Sequence, residues 1–315
     1  MIDVLLVVMA VIWGTNYSIV KFAFHELDPQ AFNAARMTIV SAVFLLVIGG
    51  LRFGRLASTE RSTPDSFVSI FRTPTRLSAR DAGELVVLGF VGHFLYQYFF
   101  IGGLALTTVA NSSLMLASTP VVIAVISAIF GQERVSARHW LGAALSLAGI
   151  YVVVGRGVAF GGSGFTGDLM MVAAVVCWAV YTLGSRRLVS RHSPVGVTGL
   201  SMAIGTLVYV PVMWGHVRAA RWADVSWPTW LSIVYSSIFA LGVAYTIWYA
   251  GVRQIGSART SVYSNLIPIV AMATAVIFLG EPILWRNVLG AAAVLGGVAL
   301  TRTTVRAQPV EPCEP

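Results

Sequence analysis

The chain has 315 residues, 57% hydrophobic and 11% charged, with a mean hydropathy of +0.80. Soluble domains carry about 25% charged residues, so a large water-soluble enzyme domain is excluded. The net charge of +8 comes from 21 Lys+Arg against 13 Asp+Glu, and in so apolar a chain it reads as basic cytoplasmic loops rather than a nucleic-acid surface. Lys21 is the only lysine and is followed by Phe22. There is therefore no G-x-x-x-x-G-K-[ST] phosphate loop and no ATP-driven pump within the chain. Cys177, in an apolar run, and Cys313, in the tail, suggest neither a disulfide nor a metal framework, and no cofactor is expected.

Apolar runs fall at about 4–21, 31–51, 85–104, 108–130, 137–155, 168–185, 195–215, 229–251, 260–279 and 285–301, each close to the length of a bilayer span. The expected fold is an all-α membrane protein of ten transmembrane helices. The first run lacks a basic n-region and a cleavage site, so it reads as a retained span rather than a signal peptide. With the N-terminus inside, the inner loops hold fifteen of the basic residues and the outer side six. Both termini are expected to be cytoplasmic, in an inner (cytoplasmic) membrane. The loop at 52–80 decides this: without it the split is nine to six.

The chain reads as two copies of one five-span unit. Trp13 to Pro29 and Trp178 to Pro194 are both sixteen positions apart, and the same offset of 165 relates Asp3 to Asp168 and Lys21 to Arg186. Further on, Gly103 to Pro120 and Gly251 to Pro268 are both seventeen positions, at an offset of 148 that persists through Glu133/Glu281, Gly142/Gly290 and Gly149/Gly297. The expected organisation is a first repeat at 1–155, a Gly-rich connection at 156–166, a second repeat at 167–303 and a disordered tail at 304–315. An odd span count inverts one copy relative to the other, which is the architecture of alternating-access transporters. The alternative is a duplication kept for packing in a receptor or scaffold.

Several of these elements resemble the drug/metabolite transporter superfamily, specifically its EamA-type members. They are Trp13-Gly14-Thr15-Asn16, Ala35-Arg36, Gly103-Leu104-Ala105-Leu106, Ala110, Pro120, Gly131-Gln132-Glu133-Arg134, Gly142 and Gly149, repeated as Gly251, Ala258, Pro268, Gly280-Glu281-Pro282, Gly290 and Gly297. Gln132-Glu133 departs mildly from the Gly-Glu more usual there. The resemblance implies ten helices, a central substrate cavity and export of small metabolites such as amino acids.

Polar side chains in hydrocarbon are costly and face the bundle interior or a wet cavity. Trp13, Asn16 and Tyr17 share one face of the first span, and His93, Tyr96, Gln97 and Phe100 share one face of the third. The second repeat offers Trp178, Tyr181, Thr182, Tyr245, Trp248 and Tyr249, and the ninth span adds Tyr263 and Asn265. These are the candidate substrate-binding residues; interface anchoring is the alternative for the aromatics, and helix-to-helix bonding for His93. Arg36 is a candidate anion contact, against snorkelling to the interface. Pro120 and Pro268 are candidate pivots, since each frees a carbonyl one turn earlier. The Gly142–Gly149 and Gly290–Gly297 faces read as packing or dimer surfaces, and Glu133 and Glu281 as hairpin caps or gate residues.

No Asp or Glu falls at the centre of a span, which disfavours simple cation/proton exchange. The expected substrates are neutral or zwitterionic metabolites, amino acids above all, with pH modulation through His93. Aromatic or cationic solutes, such as drugs, nucleobases or quaternary amines, are the alternative, held by cation–π contacts. Gly161-Gly162-Ser163-Gly164 matches a rhomboid-type intramembrane serine protease motif, an alternative that leaves the duplication unexplained. The expected partners are a small-molecule substrate and the lipid bilayer, not nucleic acid, in a monomer or homodimer.

Overall fold

The computed structural model describes residues 2–53, 70–71, 77–129, 137–154 and 163–302. The described residues form helices and turns, with no strand among them. In chain order the helices are α1 (Ile2–Ala23), α2 (Pro29–Phe53), α3 (Ala79–Leu106), α4 (Val109–Ala117), α5 (Thr119–Ile129) and α6 (Ala137–Val154), followed by α7 (Ser163–Arg191), α8 (Pro194–Val212) and the short α9 (Trp214–Ala219). Helix α10 is built from Trp227–Tyr235, Ser236–Val243 and Ala244–Tyr263, and α11 (Leu266–Leu279) and α12 (Trp285–Arg302) complete the chain. Among the described residues six helical stretches are long and apolar enough to cross a membrane, and shorter apolar helices accompany them.

The surface is inverted relative to a soluble protein. Leu46, Leu207 and Phe278 are 75%, 74% and 73% exposed, whereas Asn16, Asn33, Arg36, His93, Gln97 and Asp168 are buried. Apolar groups outside and polar groups inside is the arrangement a bilayer demands. The chain is a membrane protein.

Local chemistry sets the helix ends. Asp28 accepts bonds from the Gln30 and Ala31 amides at 2.9 and 3.0 Å and so opens α2. Ser78 and Asp81 cap each other reciprocally at the start of α3. Ser193 with Pro194 opens α8, and Gly280, at φ 64°, closes α11 in the left-handed conformation that glycine adopts without strain. Two helices contain a wider π-helical turn: Phe90–Leu95 in α3 and Ser236–Val243 in α10.

Close helix contacts depend on small residues. A Cβ on Gly14 would lie 2.5 Å from Val270 Cβ, which sets α1 against α11; one on Gly149 would meet Ala293, the Gly290 carbonyl and Val294, each at 2.9 Å. The Gly149 face is thus an internal seam between α6 and α12.

Polar clusters tie the two ends of the bundle. At one end Lys21 donates to the Thr107 carbonyl and lies 3.5 Å from Glu281. Thr107 Oγ1 donates to Asp168 at 2.6 Å. Nearby Glu26 accepts from the Ser226 amide and hydroxyl, which hold its carboxyl below the usual range. At the other end the buried Asp81 faces Arg187, Arg191 and His192 at 3.7, 3.4 and 3.3 Å, and Glu84 pairs with Arg187.

The structure differs from the sequence reading at three places. The connection expected between the eighth and ninth spans, 252–259, is helical, and α10 runs unbroken to Tyr263. The segment Val-Arg-Gln-Ile-Gly-Ser-Ala-Arg contains no proline to stop it. Helix α7 starts at Ser163, inside the expected Gly-rich connection. Pro120 and Pro268 lie in the first turns of α5 and α11, where the helix is interrupted at Ser118 and at Ser264–Asn265. The carbonyls they release are taken up locally: Thr119 Oγ1 donates to Leu116 O at 2.6 Å, and the Ile267 amide to Ser264 O at 3.1 Å. Glu133, most of the 156–166 connection and the 304–315 tail lie outside the described residues, as do Gly161 and Gly162 of the protease-like motif.

Candidate functional site

The helical stripes of α1 and α3 converge with those of α7 and α10 on one buried aromatic cluster. Trp178 is its hub, with ring centroids 5.9 Å from Trp13, 5.2 Å from Tyr96, 5.8 Å from Tyr181, 5.3 Å from Tyr245 and 6.2 Å from Trp248. Trp13 closes the ring against Tyr245 and Trp248 at 5.6 and 5.7 Å, and its indole N–H donates to Ala240 O at 2.9 Å. Tyr17 packs on Phe100, which stacks on Tyr96, and Tyr249 packs on Tyr181. Most pairs are edge-to-face or tilted, the geometry aromatic quadrupoles favour.

Ala240, the acceptor of the Trp13 bond, belongs to the π turn of α10, and His93 to that of α3. π turns recur at functional sites because they re-aim side chains. His93 Nε2 lies 2.9 Å from the Tyr181 hydroxyl and 3.1 Å from Ser201 Oγ. Room for Tyr181 comes from Gly92, whose missing Cβ would sit 2.2 Å from the Tyr181 ring.

Arg36 is 1% exposed. It donates from Nε to Asn33 Oδ1 at 2.6 Å, from Nη1 to Ser236 Oγ at 2.8 Å and from Nη2 to Gln97 Oε1 at 2.5 Å. Ser236 in turn donates to Asn16 Oδ1 at 2.7 Å. The snorkelling alternative is thereby overturned: the guanidinium points into the bundle, because neutral acceptors from its own helix and from α3 and α10 converge on it.

The structure brings together Trp13, Tyr96, Trp178, Tyr181, Tyr245, Trp248 and Tyr249, with Tyr17, His93, Asn16, Gln97 and Arg36 at the margins. It does not bring Tyr263 or Asn265 to them. Tyr263 donates to Asp3 at 2.5 Å, at the far end of α1 from Lys21, and Asn265 occupies the turn before α11. Sequence reasoning missed Asn33, Ser201 and Ser236. Asn33 was within reach, since it lies three residues before Arg36 on the same helical face; the serines carry no local signal. Glu281 accepts from the Val109 amide at 3.0 Å, at the start of α4, and pairs with Lys21.

Among the buried polar atoms here, Tyr17 Oη, His93 Nδ1 and Trp248 Nε1 have no hydrogen-bond partner. Buried polar groups are normally satisfied, so these atoms are open to a further partner. Among the described residues no three His, Cys, Asp or Glu side chains gather as metal ligands.

A family model described as the EamA-like transporter family matches residues 1–155 and again 165–303. The chain belongs to the EamA-like transporter family. It is 26% identical to the uncharacterized transporter YyaM of Bacillus subtilis (strain 168), over 97% of this chain and 94% of that one. It is 24% identical to a probable terminal-alkyne amino-acid exporter of Streptantibioticus cattleyicolor, over 95% and 93% of the two chains. It is 28% identical to the aromatic amino acid exporter YddG of Ancylobacter novellus, over 70% of this chain and 76% of that one. A solved crystal structure superposes with a TM-score of 0.65 over 97% of this EamA-family chain and 98% of its own, at 22% identity, which speaks to the fold alone.

Proposed function

We propose that this EamA-family chain is an alternating-access exporter of small metabolites, with amino acids and related zwitterions as its substrates. It sits in the cytoplasmic membrane with both termini inside, as ten spans in two inverted five-span repeats, and works as a monomer or homodimer without a cofactor. The observation that carries the reading is the aromatic cluster: Trp13 and Tyr96 come from the first repeat, and Trp178, Tyr245 and Trp248 from the second. A solute held there touches both halves, so rocking them exposes it to one side or the other.

Other observations support the repeat. Ser41 and Thr206, at 2.8 Å, are separated by 165 positions, the offset that relates Trp13 to Trp178. Residues at equal positions in two inverted copies meet where a pseudo-two-fold axis passes. The two π turns correspond at the later offset of 148. The polar ties at the two ends of the bundle are suited to act as alternate gates. The names of two relatives point to amino-acid export. Cationic solutes are disfavoured, because the Arg36 charge lies in the wall of the same site.

Cells overproducing the chain are expected to tolerate higher concentrations of toxic amino-acid analogues such as p-fluorophenylalanine than cells with an empty vector. A Trp248→Ala chain made at the same level should not protect. Equal sensitivity of all three strains across aromatic and aliphatic analogues would contradict export.

A further inference from the structure

The feature the reading above leaves unexplained is the charge on Arg36. Arg36 lies about 10 Å along α2 from its first residue at 1.5 Å per residue, and it is essentially without solvent contact. A buried charge is costly unless an opposite charge compensates it, yet every hydrogen-bond partner of Arg36 is neutral: an asparagine, a serine and a glutamine. The acids of the two end clusters are engaged elsewhere, Asp81 and Glu84 with Arg187, and Glu281 with Lys21. A guanidinium has five N–H donors, and these three bonds use three of them. One N–H remains on each terminal nitrogen, and a paired carboxylate takes up such a fork in bidentate fashion.

The position that matches Arg36 in the second repeat, at the offset of 165, is Ser201, the hydroxyl beside His93 and Tyr181. The site is therefore lopsided. One repeat position carries an uncompensated cation; its mate carries a hydroxyl beside an imidazole and a second hydroxyl. The two are bridged by the aromatic rings. Arg36 reaches the rings through Gln97, next to Tyr96 on α3, and through Ser236 and Asn16, one turn from Trp13 on α1.

We propose that Arg36 is the carboxylate receptor of the site, and that the neutral ligands Gln97 and Ser236 hold the guanidinium in place until a substrate carboxylate supplies the missing counter-charge. The substrate then lies with its carboxylate on Arg36 and its apolar part against Trp178, and solutes without a carboxylate are discriminated against. The proposal rests on the reading of the aromatic cluster as the substrate site and adds the chemical group that is selected.

The test is ligand-induced thermal stabilisation of the purified full chain with matched pairs: phenylalanine and phenylalaninamide, leucine and leucinamide, threonine and threoninamide. In each bound pair the acid should bind about tenfold more tightly than the amide, the scale of one charge-assisted bidentate contact. Arg36→Gln should erase that preference by weakening the acid more than the amide. Gln97→Glu should erase it as well, because the new carboxylate competes for Arg36 from within, and it keeps the network that holds the fold. Equal weakening of acid and amide in both variants would make Arg36 a structural staple and overturn the proposal. So would a wild-type chain that binds no acid better than its amide, including one that binds none of the acids. Counterflow of the same solutes without an acid preference would remove the Arg36 assignment alone and leave the transporter reading in place.

Discussion

Replacing Trp178 with alanine is expected to weaken substrate binding by about 30-fold or more, the scale of a hot-spot aromatic worth about 2 kcal/mol. Trp178 touches five other rings, and each such pair contributes about 0.5–1.5 kcal/mol beyond the area it buries. Removing the indole takes one surface from the solute and also frees Trp13 and Tyr245 to move. Trp178→Phe retains a ring and should lose less than about tenfold. Binding affinity and the amount of monodisperse protein are to be measured on the same preparations. If the alanine variant binds as wild type, the cluster is packing and the site lies elsewhere. If it is lost from the membrane while Trp178→Phe binds normally, the indole's role is in folding.

A single methyl group at Gly92 should have the next largest effect. An alanine Cβ would lie 2.2 Å from Tyr181 Cδ2, 2.4 Å from Cγ and 2.9 Å from Cβ, and the atoms it meets are the stiff base of the ring rather than a flexible tip. Overpacking of this kind costs about 1–3 kcal/mol. Tyr181 would be driven off His93, whose Nε2 it meets at 2.9 Å. Gly92→Ala should therefore lower the melting temperature and weaken substrate binding together. Gly83→Ala, where a Cβ would meet nothing within 4 Å, is the matched control and should do neither. A Gly92→Ala chain as stable and as active as wild type would show that the contact between α3 and α7 relaxes without consequence.

Much of this architecture was legible because a bilayer imposes so simple a rule. The runs expected at 4–21, 31–51 and 195–215 correspond to α1, α2 and α8 because a span must be apolar throughout, and polar caps such as Asp28 and Ser193 mark where the next one starts. The stripes on α1 and α3 were legible for a related reason: an Asn, a His and a Gln in hydrocarbon must face inward. Residues 252–259 misled because they are polar yet contain no strong helix breaker, so the helix continued through them. Tyr263 and Asn265 lie apart from the cluster, at a turn at Ser264–Asn265 where the ninth span reads as continuous in the sequence. The Arg36 network was the least legible. Two of its three partners lie 61 and 200 positions away in the chain, and only the tertiary structure distinguishes a buried arginine from one that snorkels.

The most direct test of the account is counterflow in proteoliposomes. Vesicles containing the purified chain are loaded with one unlabelled amino acid at a time, diluted into labelled tracer, and followed with and without a pH gradient. The account predicts transient accumulation of tracer by exchange with at least one amino acid, absent from protein-free vesicles and lost with Trp178→Ala. No accumulation with any member of an aromatic, aliphatic and hydroxyl amino-acid panel, from protein shown to be folded, would contradict it.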